Sequence, residues 1–112
     1  MTSEDRDRRI GANEALFRQV NERMRDLNET FATFTNRMDL MCECGATDCT
    51  ERISMEAQAY EELRSDPTLF AVVPGHEAPD VEYVVEKRGG YDVIRKRDGI
   101  PAQIAEETDP RA

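Results

Sequence analysis

Three cysteines and the single histidine of this 112-residue chain are the residues best suited to chemistry. Cys42, Cys44 and Cys49 lie close together in one segment, and His76 lies further along the chain. Three thiolates and one imidazole are the ligand set of a closed tetrahedral zinc site. The spacing Cys-x-Cys-x4-Cys differs from the commoner Cys-x2-Cys pattern, so the prediction rests on the donor types. From those donors we predict one zinc ion, held by these four side chains in a structural role.

Two other uses of the same residues remain open. Thiolates two residues apart could be oxidised to a disulfide and release the metal, which would make the site a redox-responsive sensor. A small zinc hydrolase would need an open coordination position and a general base, and Glu43 or Glu77 could serve as that base. Acids are common on an acidic surface, and His76 is already assigned as a ligand. We therefore predict no enzymatic activity.

Length and composition limit the fold. A chain of 112 residues without tryptophan has room for one domain with a thin core, which a metal would stabilise because its binding free energy becomes folding free energy. An odd number of cysteines argues against a disulfide framework. No secretory signal and no apolar run of transmembrane length is visible, so we expect a cytoplasmic protein without membrane contact.

Charge is unevenly distributed along the chain, whose net charge is -9. The segment 43–82 is strongly acidic, which makes a nucleic-acid partner unlikely on electrostatic grounds. The segment 87–97 is basic and flanks a Gly89-Gly90 turn. We predict a basic hairpin that steers an acidic protein partner or, alternatively, only protects a sheet edge. Its residues are Arg88, Arg95, Lys96 and Arg97.

Apolar residues recur at spacings of three and four from Ala12 onwards, which predicts a long amphipathic helix over residues 12–41 after a flexible tail at 1–11. The stripe is longer than a small module could cover, so we expect it to bind a partner protein or a second copy of the chain. A coiled coil is one form of such contact, although no Glu–Lys pairing code flanks the stripe. The predicted partner-binding residues are Phe17, Val20, Met24, Leu27, Phe31 and Phe34.

The remaining segments predict a small zinc-binding module over residues 42–98. A strand-like segment at 50–54 precedes a helix that Pro67 ends, and three strands follow at 69–73, 81–85 and 91–94. Residues 99–112 are expected to form a flexible acidic tail. The fold class is therefore α+β, with a long N-terminal helix before an antiparallel sheet and one packed helix.

The sequence also resembles a family of small, mostly uncharacterised actinobacterial proteins. The resemblance rests on Cys42-Glu43-Cys44-Gly45 with Cys49, on the Tyr60-Glu61 helix, and on Pro74-Gly75-His76-Glu77, all after an N-terminal helix. It implies an architecture and supports treating the three cysteines and His76 as one site. It implies no activity. The most specific expectation is a non-catalytic, zinc-stabilised interaction or regulatory module.

Overall fold

The computed structural model describes residues 3–31, 36–46 and 48–111, and in the first of these ranges it describes side chains only as far as Leu27. The predicted α+β fold is confirmed. The elements in chain order are α1 (Ser3–Phe31), β1 (Arg37–Met41), β2 (Arg52–Glu56), α2 (Ala57–Arg64), β3 (Leu69–Val72), β4 (Glu82–Lys87), β5 (Asp92–Lys96) and α3 (Ile100–Glu107).

The strands form two antiparallel sheets rather than the single sheet that the sequence predicts. One sheet pairs β1 with β2, and the other has the order β3-β5-β4. The Glu43 N–H donates to the Ala71 carbonyl at 2.9 Å, so the chain that leaves β1 runs beside β3. This bond brings the cysteine segment to the edge of the three-stranded sheet.

The predicted helix over residues 12–41 is wrong at its C-terminal end. The helix ends at Phe31, and the chain is extended from Arg37 to Met41. Met38 and Leu40 are buried while Arg37 and Asp39 are exposed, which is the period of two expected for a strand with one buried face. The spacing of Phe34, Met38 and Met41 also fits a helix, and pairing with β2 decided between the two.

Both predicted tails are also wrong, because each contains helix. The first helix begins at Ser3, and the last helix follows Gly99, whose φ of 141° is accessible mainly to glycine. The two helices pack closely: a Cβ placed on Gly11 would lie 2.9 Å from Cδ1 of Ile104. Residues 1–11 and 99–112 therefore include parts of the packed structure.

Buried apolar side chains form two clusters, and the second of them includes Cys42 and Cys44. The first surrounds Tyr60 and Leu63 of α2, and the second surrounds Phe70 and Ile94 of the three-stranded sheet. The face of α1 that packs on the domain is unusual because it buries polar side chains. Those side chains belong to Glu14, Arg18 and Asn21.

Candidate metal centre

The two-stranded sheet positions the cysteines. Cys42 directly follows β1, and its N–H donates to the Glu51 carbonyl at 3.0 Å, which continues the ladder beyond the strands. The chain then turns back towards β2. A hydrogen bond from the Cys49 N–H to the Ala46 carbonyl at 3.1 Å closes part of this turn. The three thiols are thereby held at one end of the sheet.

A tight turn after β3 positions His76. The His76 N–H donates to the Val73 carbonyl at 2.9 Å, and Gly75 has a φ of 91°. Proline followed by a glycine with positive φ is typical of a type II turn. The Pro74-Gly75 pair therefore ends the strand and turns the imidazole towards the cysteines.

The four predicted ligands converge. One donor atom from each of Cys42, Cys44, Cys49 and His76 lies within 4.8 Å of all the others. The His76 Nδ1 is 3.6 Å from the Cys42 sulfur and 3.7 Å from the Cys49 sulfur. Ordinary zinc–sulfur and zinc–nitrogen bonds at a tetrahedral angle place these atoms about 3.6 Å apart. The cluster therefore has the donor chemistry and the spacing of a tetrahedral metal site.

The orientation of His76 favours Nδ1 as the metal donor. This nitrogen faces the sulfurs, while Nε2 lies 3.6 Å from the Glu51 carboxylate. A ligating histidine usually directs its other N–H at a carboxylate or carbonyl, which fixes the tautomer. Glu51 occupies that outer position here, and the sequence analysis did not assign it this role.

The thiols influence one another strongly. The hydrogen bond between Cys42 and Cys44 lowers the pKa of Cys44 to about 5 and raises the pKa of Cys42 well above its ordinary value. Burial further raises the pKa of Cys42, whereas the Val73 N–H, which donates to its sulfur at 3.2 Å, opposes that shift. Backbone N–H donors of this kind stabilise thiolate charge at a metal. The surroundings of the cluster thus favour at least one thiolate.

Glu43 lies between two ligands and is fully buried, so it is not the open general base that a hydrolase would need. Its carboxylate accepts hydrogen bonds from Arg64 at 2.7 Å, from Asn21 at 2.8 Å and from the Ala71 N–H at 3.0 Å. Asn21 also exchanges two hydrogen bonds with the backbone of Met41. Glu43 therefore joins α1, α2 and β3 to the cysteine segment.

The sequence analysis missed this polar layer. Its signal was present in α1, where Glu14, Arg18 and Asn21 follow the i, i+4, i+7 spacing of one helical face. Arg18 donates to the carbonyls of Pro67 and Ala105 at 2.7 and 2.8 Å. A polar stripe of this spacing is ordinarily solvent-facing, and here the fold covers it.

The predicted basic hairpin is wrong for one of its four residues. Lys96 is buried and pairs with the carboxylates of Glu14 and Glu82. Its neighbour in β5, Arg95, is half-buried and pairs with Asp66 at 2.8 Å. Two surface residues remain, Arg88 near Glu86 at 2.7 Å and Arg97 over the Tyr83 ring at 5.1 Å. Steering of a partner by this surface stays a prediction.

The predicted partner-binding stripe divides between core and surface. Phe17 is buried within the domain, which removes it from any docking surface. Val20 and Met24 are half-buried, and Leu27 is 58% exposed. Phe34 and the side chain of Phe31 lie outside the described residues. Leu16, which the sequence analysis did not select, is 57% exposed.

No protein-family model, curated protein or solved structure matched this chain. The resemblance to small actinobacterial proteins therefore stays a prediction. Within the described ranges, no helix combines the length and the apolar character needed to cross a membrane. The cluster of three cysteines and His76 is thus the feature that points to a function.

Proposed function

We propose that this protein is a non-catalytic, zinc-stabilised interaction module that binds a partner protein, or a second copy of itself, through α1. The observation that carries the proposal is the convergence of Cys42, Cys44, Cys49 and His76 within 4.8 Å. Three sulfurs and one imidazole nitrogen favour zinc over harder cations such as magnesium or calcium. When bound, the metal would cross-link the β1–β2 loop to the turn after β3.

A structural role is favoured over a catalytic one for two reasons. Four protein donors complete a tetrahedral shell, whereas catalytic zinc keeps a position for water or substrate. The neighbouring acid Glu43 is engaged by three hydrogen-bond donors and is closed to solvent. These features fit a metal that holds the loops of a small domain together.

The segment from Cys42 to Cys49, which we call the metal loop, contacts α1 directly. This contact connects the proposed metal site to the proposed binding helix. Asn13 donates to the Gly45 carbonyl at 3.0 Å, and Asn21 bonds to Met41 and Glu43. Both asparagines lie on α1, and their acceptors lie at or between the ligands. Loss of the metal would loosen the surface on which α1 rests and, through it, the presentation of the helix.

Metal analysis of the full chain, purified without added metal, tests the metal part of this proposal. We expect close to one zinc per chain, and we expect Cys44→Ser to lose both the zinc and the cooperative melting transition, because zinc binding supplies folding free energy. Asp48→Ala is the matched control, since Asp48 is an exposed residue of the same loop. A metal-free wild-type chain with an intact fold would disprove the role of the metal.

A redox-responsive sensor is the second candidate, and a surface pocket favours it. The pocket has a volume of about 370 Å³ and is lined by Cys44 and His76 with Arg6 and Arg9 of α1. Through it hydrogen peroxide could reach a thiolate. Two thiolates, one peroxide and two protons would give a disulfide and two waters, with release of the metal. Zinc release by stoichiometric peroxide, reversed by a thiol reductant, would favour this candidate over the purely structural module.

A further inference from the structure

One strip on the solvent side of α1 carries apolar residues and two arginines, and the exposed Asp26 lies beside it. A helix turns by about 100° per residue, so Arg9, Ala12, Leu16, Val20, Arg23 and Leu27 all lie within about 50° of one line along α1. This strip extends for about 27 Å at the usual helical rise. We call these six residues the α1 strip. Its two leucines are more than half exposed, at 57% and 58%.

Arg9 and Arg23 are unusual among the arginines of this acidic chain. Within the described residues, neither has an ion pair or a hydrogen bond, although the chain carries 24 acidic residues. Most other arginines are engaged, such as Arg25 with Glu61 at 3.0 Å and Arg111 with Glu22 at 2.7 Å. The nearby acids Glu22 and Asp26 pair with Arg111 and Arg25, so the two arginines of the strip keep no counter-ion among the described residues.

We infer that the α1 strip binds an acidic amphipathic helix of another protein. This inference rests on the proposed function, since it names the partner class for the same helix. Apolar side chains at i, i+4 and i+7 spacing would occupy the surface between Leu16 and Leu27, as in recognition of a helix by an apolar groove. Carboxylates flanking the partner's apolar stripe would pair with Arg9 and Arg23 and would set its direction and register.

Charge argues against the two other occupants of such a face. A second copy of the chain would place arginines opposite arginines in a strip-to-strip contact. An anionic membrane would meet only Arg9 and Arg23, which lie about 21 Å apart along α1 and form no polybasic cluster. A partner helix with an apolar stripe and flanking acids would cover the exposed leucines and would form ion pairs with both arginines.

A titration of the zinc-loaded full chain, labelled with nitrogen-15, tests the inference. The probe is a synthetic 21-residue helical peptide with leucines at heptad a and d positions and glutamates beside them. We expect amide shifts confined to residues 9–27 of α1 and their packing neighbours. Arg23→Glu should weaken binding about tenfold, as loss and reversal of a contact charge commonly does. Arg52→Glu is the matched control, because Arg52 is also unpaired within the described residues but lies on β2.

A charge-swapped pair sharpens the experiment. A peptide with lysines in place of the glutamates should bind the Arg9→Glu/Arg23→Glu variant more tightly than it binds the wild type. The inference is overturned if about 1 mM acidic peptide causes no shifts in α1, or if Arg52→Glu weakens binding as much as Arg23→Glu. It is also overturned if the strip instead binds phosphatidylserine vesicles or dimerises in sedimentation.

The same samples separate this inference from the proposed function. Zinc content and the melting curve are measured before each titration, and circular dichroism confirms that the arginine variants remain folded. Full zinc with a normal melting curve but no peptide binding overturns the partner class alone. Peptide binding by a folded, metal-free chain overturns the zinc-stabilised module and leaves the α1 strip as a binding surface.

Discussion

The Glu43 carboxylate and the Arg64 guanidinium form an ion pair at 2.7 Å in which both side chains are buried. The acid lies between two metal ligands, and the base lies at the end of α2. Removing one partner of a buried pair commonly costs about 3–5 kcal/mol, because the other charge is left without its counter-ion. The cysteine segment is therefore held by an electrostatic partner in addition to the proposed metal.

We predict that Arg64→Met lowers the free energy of unfolding by about 3 kcal/mol or more. The double variant Glu43→Gln/Arg64→Met should recover part of this loss, because it removes the unpaired charge. Denaturant unfolding of the zinc-loaded protein measures both. Arg95→Met is the control, since the Arg95–Asp66 pair is more than a third exposed on both sides and its loss should cost under about 1 kcal/mol. Equal effects of Arg64→Met and Arg95→Met would contradict the prediction.

The raised pKa of Glu14 predicts that the stability of the fold depends on pH. Burial raises the pKa of this carboxyl well above its ordinary value, the adjacent Lys96 opposes the shift, and Glu82 adds to it. The native state thus holds a proton that the unfolded state releases. Stability should therefore fall as the pH rises from the unfolded pKa, near 4.5, towards the raised native pKa.

Glu14→Gln tests that dependence, because glutamine resembles the protonated acid and leaves Lys96 paired with Glu82. We expect this variant to gain stability over the wild type as the pH rises, by at most about 1.4 kcal/mol per pH unit. Unfolding at a series of pH values provides the measurement. Glu4→Gln is the control, since Glu4 is an exposed acid of the same helix. Parallel stability curves for wild type and Glu14→Gln would refute the prediction.

Phe17 and Leu27 belong to the same sequence stripe but should respond differently to truncation. Phe17→Ala removes a buried ring and should cost about 3–5 kcal/mol. Leu27→Ala removes a side chain that is 58% exposed and should change stability by under about 1 kcal/mol. Denaturant unfolding distinguishes them. A large loss for Leu27→Ala would mean that this part of α1 is covered within the monomer.

The contact between α1 and the metal loop can be tested at Gly45. A Cβ at this position would lie 2.9 Å from Cγ2 of Ile10, so Gly45→Ala should destabilise the fold by about 1–3 kcal/mol. The double variant Ile10→Ala/Gly45→Ala should relieve the overlap and recover part of the loss. Zinc release to a chelator should become faster in Gly45→Ala alone. Gly90→Ala is the control, because its Cβ would have no neighbour within 4 Å.

The sequence by itself determined which four side chains form the candidate metal site, and it determined most of the strands. Cysteine and histidine are soft donors wherever the fold places them, and the Pro74-Gly75 turn is fixed by local backbone preferences. The apolar run from Leu69 to Val73, which lies between two prolines, likewise required only local sequence to be recognised as a strand. These properties are local, so the residues that carry them could be recognised before their neighbours in space were known.

The tertiary structure decided whatever depended on residues far apart in the chain. Met38 and Met41 continue the helical spacing of three and four, whereas Met38 and Leu40 have the spacing of a strand. Pairing with Met55 and Ile53 made the segment a strand. Lys96 could have been a surface charge, but Glu14, which is 82 residues away, and Glu82 bury it as an ion pair. A charged side chain enters the interior only when its partners are already positioned there, and those positions are a property of the whole fold.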